Sequence, residues 1–165
     1  MGPSFAQRPN ALLGAVALLS LAALAAALVS QHVFGMEPCP WCVLQRLIFV
    51  VIAIVCGLGL LWRAAAGRIV AALLVLALSL GGVAAALWLH FVASKSESCN
   101  LTLADRILVA FRLDTLLPDV FSPRASCADA AVDLLGLPYT FWSLGLFALF
   151  AVAAVTLLAR TLSRS

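Results

Sequence analysis

The chain has 165 residues, of which 65% are hydrophobic and only 10% are charged. Soluble domains average about 45–50% apolar and roughly 25% charged residues, so this composition excludes a water-soluble globular domain and predicts a membrane protein. The formal net charge is only +3. The basic residues are scattered singly, which argues against nucleic acid as a partner.

Four apolar segments are long enough to cross a bilayer, because a spanning helix needs about 20 mostly apolar residues. They are predicted at 11–30, 43–62, 69–92 and 139–159. None contains an acid, and Arg46 is the only charged residue within them. The predicted fold class is an all-α integral membrane four-helix bundle, a single domain over 1–165, with two periplasmic loops and a short interfacial helix in the second.

The first apolar segment could instead be a signal peptide, because Arg8 precedes it and the run Ala25-Ala26-Ala27 resembles a cleavage site. The hydrophobic region of a signal peptide spans about 7–15 residues. The run here is longer, so a spanning helix is favoured.

Positive charge in short flanking segments predicts the orientation of the helices. Arginines occur before the first segment, in the loop 63–68 and in the tail 160–165, which share one side if there are four crossings. The loop 31–42 has no Lys or Arg, and all seven acids fall there or in 93–138. The loop 93–138 has four basic residues, but it is long and therefore weighs less. Both termini are expected in the cytoplasm and both of these loops on the opposite side. In the inner membrane of a Gram-negative bacterium, that opposite side would be the periplasm.

Four of the five cysteines fall on the predicted periplasmic side. Cys39 and Cys42 end the first loop, and Cys99 and Cys127 belong to the second. Disulfides persist in that oxidising compartment. Cys56 alone lies inside a helix and is expected to be a small packing residue.

The segment Cys39-Pro40-Trp41-Cys42 forms a CxxC motif, a spacing often associated with a lowered thiol pKa and reversible disulfide chemistry. Cys42 begins the second apolar helix, whose N-terminus favours a thiolate. Arg46 is one turn further along the same face, where its charge would add to this effect or hold a quinone carbonyl oxygen. The alternative is that Arg46 extends to the lipid head groups.

The CxxC motif has two competing interpretations as a cofactor site. A zinc site would need two further ligands, and His32 and Glu37 are the only local candidates. A covalently attached haem would need a histidine where Val43 stands. No metal is therefore expected.

The second loop allows a structural or a redox-active Cys99–Cys127 disulfide. As a structural crosslink it would contribute about 3.5 kcal/mol in the chain-entropy model. If it opens during turnover, something else must hold the loop. The stretch 101–117 mixes apolar and charged residues and predicts a short helix lying on the membrane surface. A partner-binding surface is a compatible interpretation.

His90 is near the same membrane face, at the end of the third helix. It could transfer a proton when a quinone is reduced, because histidine titrates near neutral pH. A histidine that merely lies at the interface is the alternative. Trp41, Trp88 and Trp142 fall near this boundary and are expected to be interfacial anchors.

Taken together, these motifs resemble the DsbB family of quinone-dependent thiol oxidases over nearly the whole chain. The residues that carry the resemblance are Glu37-Pro38-Cys39-Pro40-Trp41-Cys42, Gln45-Arg46, Cys99, Cys127-Ala128 and the run 133–138 ahead of Trp142. The CxxC motif alone would be far less specific.

The resemblance implies a thiol relay. A periplasmic thioredoxin-like oxidase of the DsbA kind would attack a Cys99–Cys127 disulfide at Cys99. Cys127 would then attack Cys39 in a transient Cys39–Cys127 bond. This would leave Cys42 as a thiolate, and the Cys39–Cys42 disulfide would later reform.

The resemblance also implies the electron acceptor. Electrons from Cys42 would pass to ubiquinone or menaquinone beside Arg46, and His90 matches a histidine that the family has near the quinone. The sequence has no glycine-rich fingerprint for a nicotinamide or flavin.

Three alternatives remain open at the level of sequence. An enzyme resembling vitamin K epoxide reductase would have its CxxC after the loop cysteines, whereas here it comes first. A non-enzymatic membrane subunit would use both disulfides only as crosslinks. A metal transporter would use the cysteines as ligands, but no acid lies in the membrane segments to support it.

Overall fold

The computed structural model describes residues 9–62, 64–95, 102–130, 133–134 and 136–163. Four of its helices are long and apolar enough to span a membrane, which confirms the predicted all-α membrane bundle. These helices are α1 (Pro9–Phe34), α2 (Pro40–Leu61), α3 (Ala65–Phe91) and α7 (Tyr139–Leu162).

Short elements connect α3 to α7. A 3-10 turn covers Ala93–Lys95, and a two-stranded antiparallel ladder directly precedes α7. The elements between are α4 (Leu103–Ala110), α5 (Leu113–Leu116), α6 (Pro118–Phe121), β1 (Asp133–Leu134) and β2 (Leu137–Pro138).

The connection between α1 and α2 is shorter than the predicted loop 31–42. The first helix continues to Phe34, and Gly35 then turns the chain with a φ of +65°. Glycine adopts this conformation without a Cβ penalty. The second helix begins at Pro40, which suits the first helical position because it has no N–H to satisfy. Only 35–39 therefore lie between the two helices.

The structure differs from the single short helix predicted over 101–117, of which Leu101 lies outside the described residues. A capping box between Thr102 and Asp105 starts α4. That helix ends before Arg112, whose left-handed backbone (φ 52°) redirects the chain into α5. Pro118 then starts α6.

These short helices dock on the beginning of α2 rather than lying apart from the bundle. Val43 of α2, Leu108 of α4 and Phe121 of α6 form a buried apolar cluster. In contrast, Leu103 and Phe111 are well exposed and remain available to lipid or a partner. The second loop thus covers the end of the bundle that carries the CxxC motif.

The bundle core is built where α2, α3 and α7 meet. Phe49 stacks on Phe147 with ring centroids 4.4 Å apart and meets Phe150 edge-on at 6.1 Å. Gly82 gives Phe147 its space, since a Cβ at Gly82 would lie 2.5 Å from the ring. Lipid is as apolar as leucine, so helices in a membrane associate through such close packing rather than through the hydrophobic effect.

Gly82→Ala should destabilise the bundle by about 1–3 kcal/mol, because Phe147 must leave its stacked position to accommodate the methyl group. We expect a lower unfolding midpoint in detergent for this variant. Gly81→Ala is the matched control, since a Cβ at Gly81 meets nothing within 4 Å. Equal midpoints for the two variants would contradict this account of the core.

Candidate functional site

The CxxC motif lies at the N-terminus of α2. Cys39 caps the helix and is fully buried, whereas Cys42 in the first turn is half-buried. The backbone N–H of Cys42 donates to Sγ of Cys39 at 3.3 Å. The two sulfur atoms are 2.8 Å apart, and both residues are free thiols. The two groups are in contact, and the Cys39–Cys42 disulfide itself stays a prediction.

Cys127 of the second loop lies against the same cysteine. Its Sγ accepts hydrogen bonds from the Cys39 thiol and from the backbone N–H of Trp41. The backbone N–H groups of Arg124 and Ala125 both donate to the carbonyl of Pro38, at 2.9 and 3.3 Å. These two bonds fix the loop segment that delivers Cys127 to Cys39. The residues of the predicted transient bond are therefore adjacent.

Cys99 lies outside the described residues. Its predicted bond to Cys127 therefore stays a prediction, and Cys127 is a free thiol here.

The contact between Cys39 and Cys127 shifts the pKa values of the two thiols in opposite directions. The hydrogen bond to Cys127 raises the pKa of Cys39 above its usual value, and burial adds to this. The same bond lowers the pKa of Cys127, against the opposing effect of burial. Hydrogen bonding to a charged form favours that form. Within this pair the thiolate is therefore favoured at Cys127 rather than at Cys39, and the thiolate is the nucleophile in disulfide exchange.

A cavity of about 260 Å³ borders Cys42. It is lined mainly by apolar side chains of α1, α2 and α7, and its size approaches the roughly 300 Å³ at which ligand pockets begin. The polar side chains that line it include Cys42, Gln45, Arg46, Glu37 and Tyr139.

Arg46 is buried and does not extend to the head groups. Its Nη1 donates to Oε1 of Gln31 at 2.6 Å and to the carbonyl of Val120 at 3.1 Å, and its Nη2 donates to the carbonyl of Ala27 at 3.2 Å. All three acceptors are uncharged. No carboxylate of the described residues lies within ion-pair distance of the guanidinium, so its charge remains available to the cavity.

Gln45 supplies a second donor beside Arg46. Its side chain is 5% exposed, and its Nε2 has no hydrogen-bond partner among the described residues. An unpaired buried polar group costs about 1–3 kcal/mol. A bound molecule with a carbonyl oxygen would remove that cost. An apolar cavity with one cationic and one neutral donor thus fits the quinone that the resemblance implies.

His90 does not line this cavity. It lies between the rings of Phe91 and Phe141, at 4.9 and 4.8 Å, and borders a neighbouring cavity of about 140 Å³ together with Cys127. Its predicted role at the quinone stays a prediction.

Two further residues test the sequence interpretation. Trp41 is buried, with its ring 6.3 Å from that of Trp88, so it packs inside the protein instead of anchoring at the interface. Cys56 is fully buried in the apolar core, as a packing residue would be.

Among the described residues, no group of three or more His, Cys, Asp or Glu side chains could hold a metal ion.

Sequence reasoning missed Gln31 and did not assign a role to Gln45. The predicted loop 31–42 includes Gln31, yet this residue is buried near the end of α1 as the partner of Arg46. The sequence feature that points to Gln31 is its position, because it is an amide side chain at the border of an apolar segment.

Comparisons with known proteins agree with this geometry. The sequence model of the family "Disulfide bond formation protein DsbB" matches residues 9–157. Disulfide bond formation protein B of Polaromonas naphthalenivorans is 36% identical over 155 residues, or 92% of each chain. Disulfide bond formation protein B 1 of Pseudomonas savastanoi pv. phaseolicola is 34% identical over 90% of this chain and 88% of its own. Disulfide bond formation protein B of Aromatoleum aromaticum is 37% identical over 79% of this chain and 80% of its own.

Cys39→Ala should raise the pKa of Cys127 toward its usual value, because the variant removes the hydrogen bond that stabilises the thiolate. At pH 7 the thiolate fraction then falls, and alkylation of Cys127 slows by up to about tenfold per unit of pKa change. The rate is measured by timed alkylation of the reduced protein and peptide mass spectrometry. Cys56→Ala is the control and should leave it unchanged. An unaltered alkylation rate in Cys39→Ala would contradict the stabilisation of the Cys127 thiolate by Cys39.

Proposed function

Because the chain belongs to the disulfide bond formation protein DsbB family, we propose that it reoxidises a periplasmic DsbA-like dithiol oxidase and passes the electrons to membrane quinone. Family membership and four spanning helices make it a multi-pass inner-membrane protein of disulfide bond formation. The observation that carries the finer proposal is the position of Cys39, which contacts Cys127 of the second loop on one side and Cys42 beside the cavity on the other.

The thiol steps run from the second loop to the cavity. The partner's thiolate attacks Cys99 of the Cys99–Cys127 disulfide and releases Cys127 as a thiolate. Cys127 attacks Cys39 of the Cys39–Cys42 disulfide, and Cys42 leaves as a thiolate. The hydrogen bonds that favour the thiolate of Cys127 support its role as the attacking group. The partner's second thiol then attacks the mixed disulfide, leaves oxidised and frees Cys99, and Cys99 displaces Cys39 from Cys127. Each exchange breaks one disulfide and forms another, so the electron pair ends on the thiols of Cys39 and Cys42 beside the cavity.

The residues that would hold the quinone are Arg46 and Gln45, which line one cavity with Cys42. When bound, quinone accepts two electrons and two protons and leaves as quinol. Arg46 would stabilise negative charge, either on the Cys42 thiolate or on an oxygen in the cavity. Gln45 would donate its unused N–H. The largely apolar walls exclude water and strengthen both interactions.

His90 is proposed as a proton carrier for this site. It lies outside the quinone cavity, but the cavity it borders shares Leu89, Ala130, Tyr139 and Thr140 with the larger one. These shared residues would form the wall between His90 and the proposed quinone site. A histidine side chain suits this role because an imidazole can both accept and donate a proton.

We further propose that both termini are cytoplasmic. The arginines of the 63–68 loop and of the C-terminal tail support this orientation. A green fluorescent protein fused after Ser165 should therefore fluoresce in bacterial cells, and alkaline phosphatase fused there should be inactive. The control is phosphatase inserted within 96–100, which should be active. The reverse pattern would overturn the orientation and move all four loop cysteines to the cytoplasm.

Arg46→Ala should raise the quinone concentration needed for half-maximal rate by about tenfold or more, because hydrogen bonds to charged groups contribute about 1.5–3 kcal/mol. Cys42→Ala should abolish quinone reduction. The assay follows quinone absorbance anaerobically in detergent, with reduced DsbA-type partner and water-soluble ubiquinone or menaquinone analogues.

Arg106→Ala is the matched control, because Arg106 is exposed on α4, and its quinone requirement should equal that of the wild type. If the wild type reduced neither analogue while its disulfides were intact, the protein would be a crosslinked structural subunit and the proposal would fail.

A further inference from the structure

The guanidinium of Arg46 is charged and buried, yet within the described part of the chain its hydrogen-bond acceptors are all neutral. Its shortest hydrogen bond, at 2.6 Å, goes to the amide oxygen of Gln31, fifteen residues earlier on α1. The other two go to the backbone carbonyls of Ala27 and Val120. Gln31 itself is 6% exposed, so solvent contributes little to this contact.

Gln31 also fastens the second loop. Its Nε2 donates to the carbonyl of Asp119 at 3.3 Å, next to the Val120 carbonyl that accepts from Arg46. One amide side chain therefore uses its oxygen for the guanidinium and its nitrogen for α6. Arg46 is thereby held between α1 and α6 while it lines the cavity with Cys42.

The neutrality of this partner has a chemical consequence. A glutamate at the same position would bind the guanidinium more strongly, because charge-assisted bonds are about twice as strong as neutral ones. It would also cancel the positive charge. Glu37, the acid that lines the cavity, is exposed and makes no ion pair with Arg46 among the described residues. An amide fixes the direction of the guanidinium and leaves its charge to act on Cys42 or on a ligand.

We propose that Gln31 is a positioning residue: a neutral clamp that aims the Arg46 guanidinium at the cavity without neutralising it. The effect on quinone rests on the proposed function, whereas the effect on Cys42 does not. Gln31 touches neither the thiols nor, by this proposal, the quinone, and it acts through Arg46.

Two near-isosteric variants of Gln31 separate the loss of Arg46 orientation from the loss of its positive charge. Gln31→Met keeps the length and removes both hydrogen bonds of the amide. Gln31→Glu keeps the acceptor and adds a negative charge. His32→Leu is the control, because His32 is the next residue on α1 and is exposed. Unfolding midpoints in detergent identify any variant that fails to fold.

The first measurement is the rate at which iodoacetamide alkylates Cys42 at pH 7 in reduced, quinone-free, full-length protein, read by peptide mass spectrometry. Gln31→Glu should slow it about tenfold, because the thiolate loses the field of an unpaired cation. Gln31→Met and His32→Leu should stay within about twofold of wild type. A wild-type rate in Gln31→Glu would overturn the neutral clamp, whether or not the protein reduces quinone.

The second measurement is the quinone concentration for half-maximal rate. Gln31→Met should raise it about tenfold with little change in kcat, as expected when a charged donor loses its orientation. An unchanged value would overturn the positioning role. If the wild type reduced no quinone, the proposed function would fail, and the alkylation comparison would still decide the clamp.

Discussion

The rest of the site depends on the burial of one guanidinium. A charge inside a bundle is tolerated only when its donors are matched by acceptors. Arg46 of α2 finds them on α1, at Ala27 and Gln31, and on α6, at Val120. Helices α1 and α2 and the second loop must therefore converge around it. Their convergence leaves the apolar cavity beside Cys42 and brings the chain following α6 toward the CxxC motif.

The order of the thiols follows from that convergence. Cys127 comes shortly after α6, and the bonds of Arg124 and Ala125 to the Pro38 carbonyl align it with Cys39. The backbone at the start of α2 then contributes twice, since Trp41 donates to Cys127 and Cys42 donates to Cys39. Cys39 is the central sulfur and is closed to solvent. Among the described residues its sulfur neighbours are Cys127 on one side and Cys42 on the other, which is the order that the proposed relay requires.

Sequence alone predicted the parts of this arrangement that are local. An apolar run of sufficient length forms a spanning helix whatever packs against it, and four such runs fix which cysteines share a face. The i, i+4 spacing placed Arg46 on the face of Cys42. The contacts of Gln31 with Arg46 and of Val43 with Leu108 and Phe121 join distant segments, and no periodicity encodes them. The structure extends α1 to Phe34, into the predicted loop 31–42, because the buried Arg46 provides a partner for the polar side chain of Gln31.

The docking of the second loop bears on the proposed Cys99–Cys127 disulfide, which would have to open during turnover. The segment is held by the apolar cluster of Val43, Leu108 and Phe121, by the capping box of α4 and by the two bonds to Pro38. None of these contacts involves a cysteine. The described part of the loop therefore keeps its place with Cys127 as a free thiol. The proposed Cys99–Cys127 disulfide would therefore not be needed to hold the described part of the loop, and opening it would leave Cys127 in contact with Cys39.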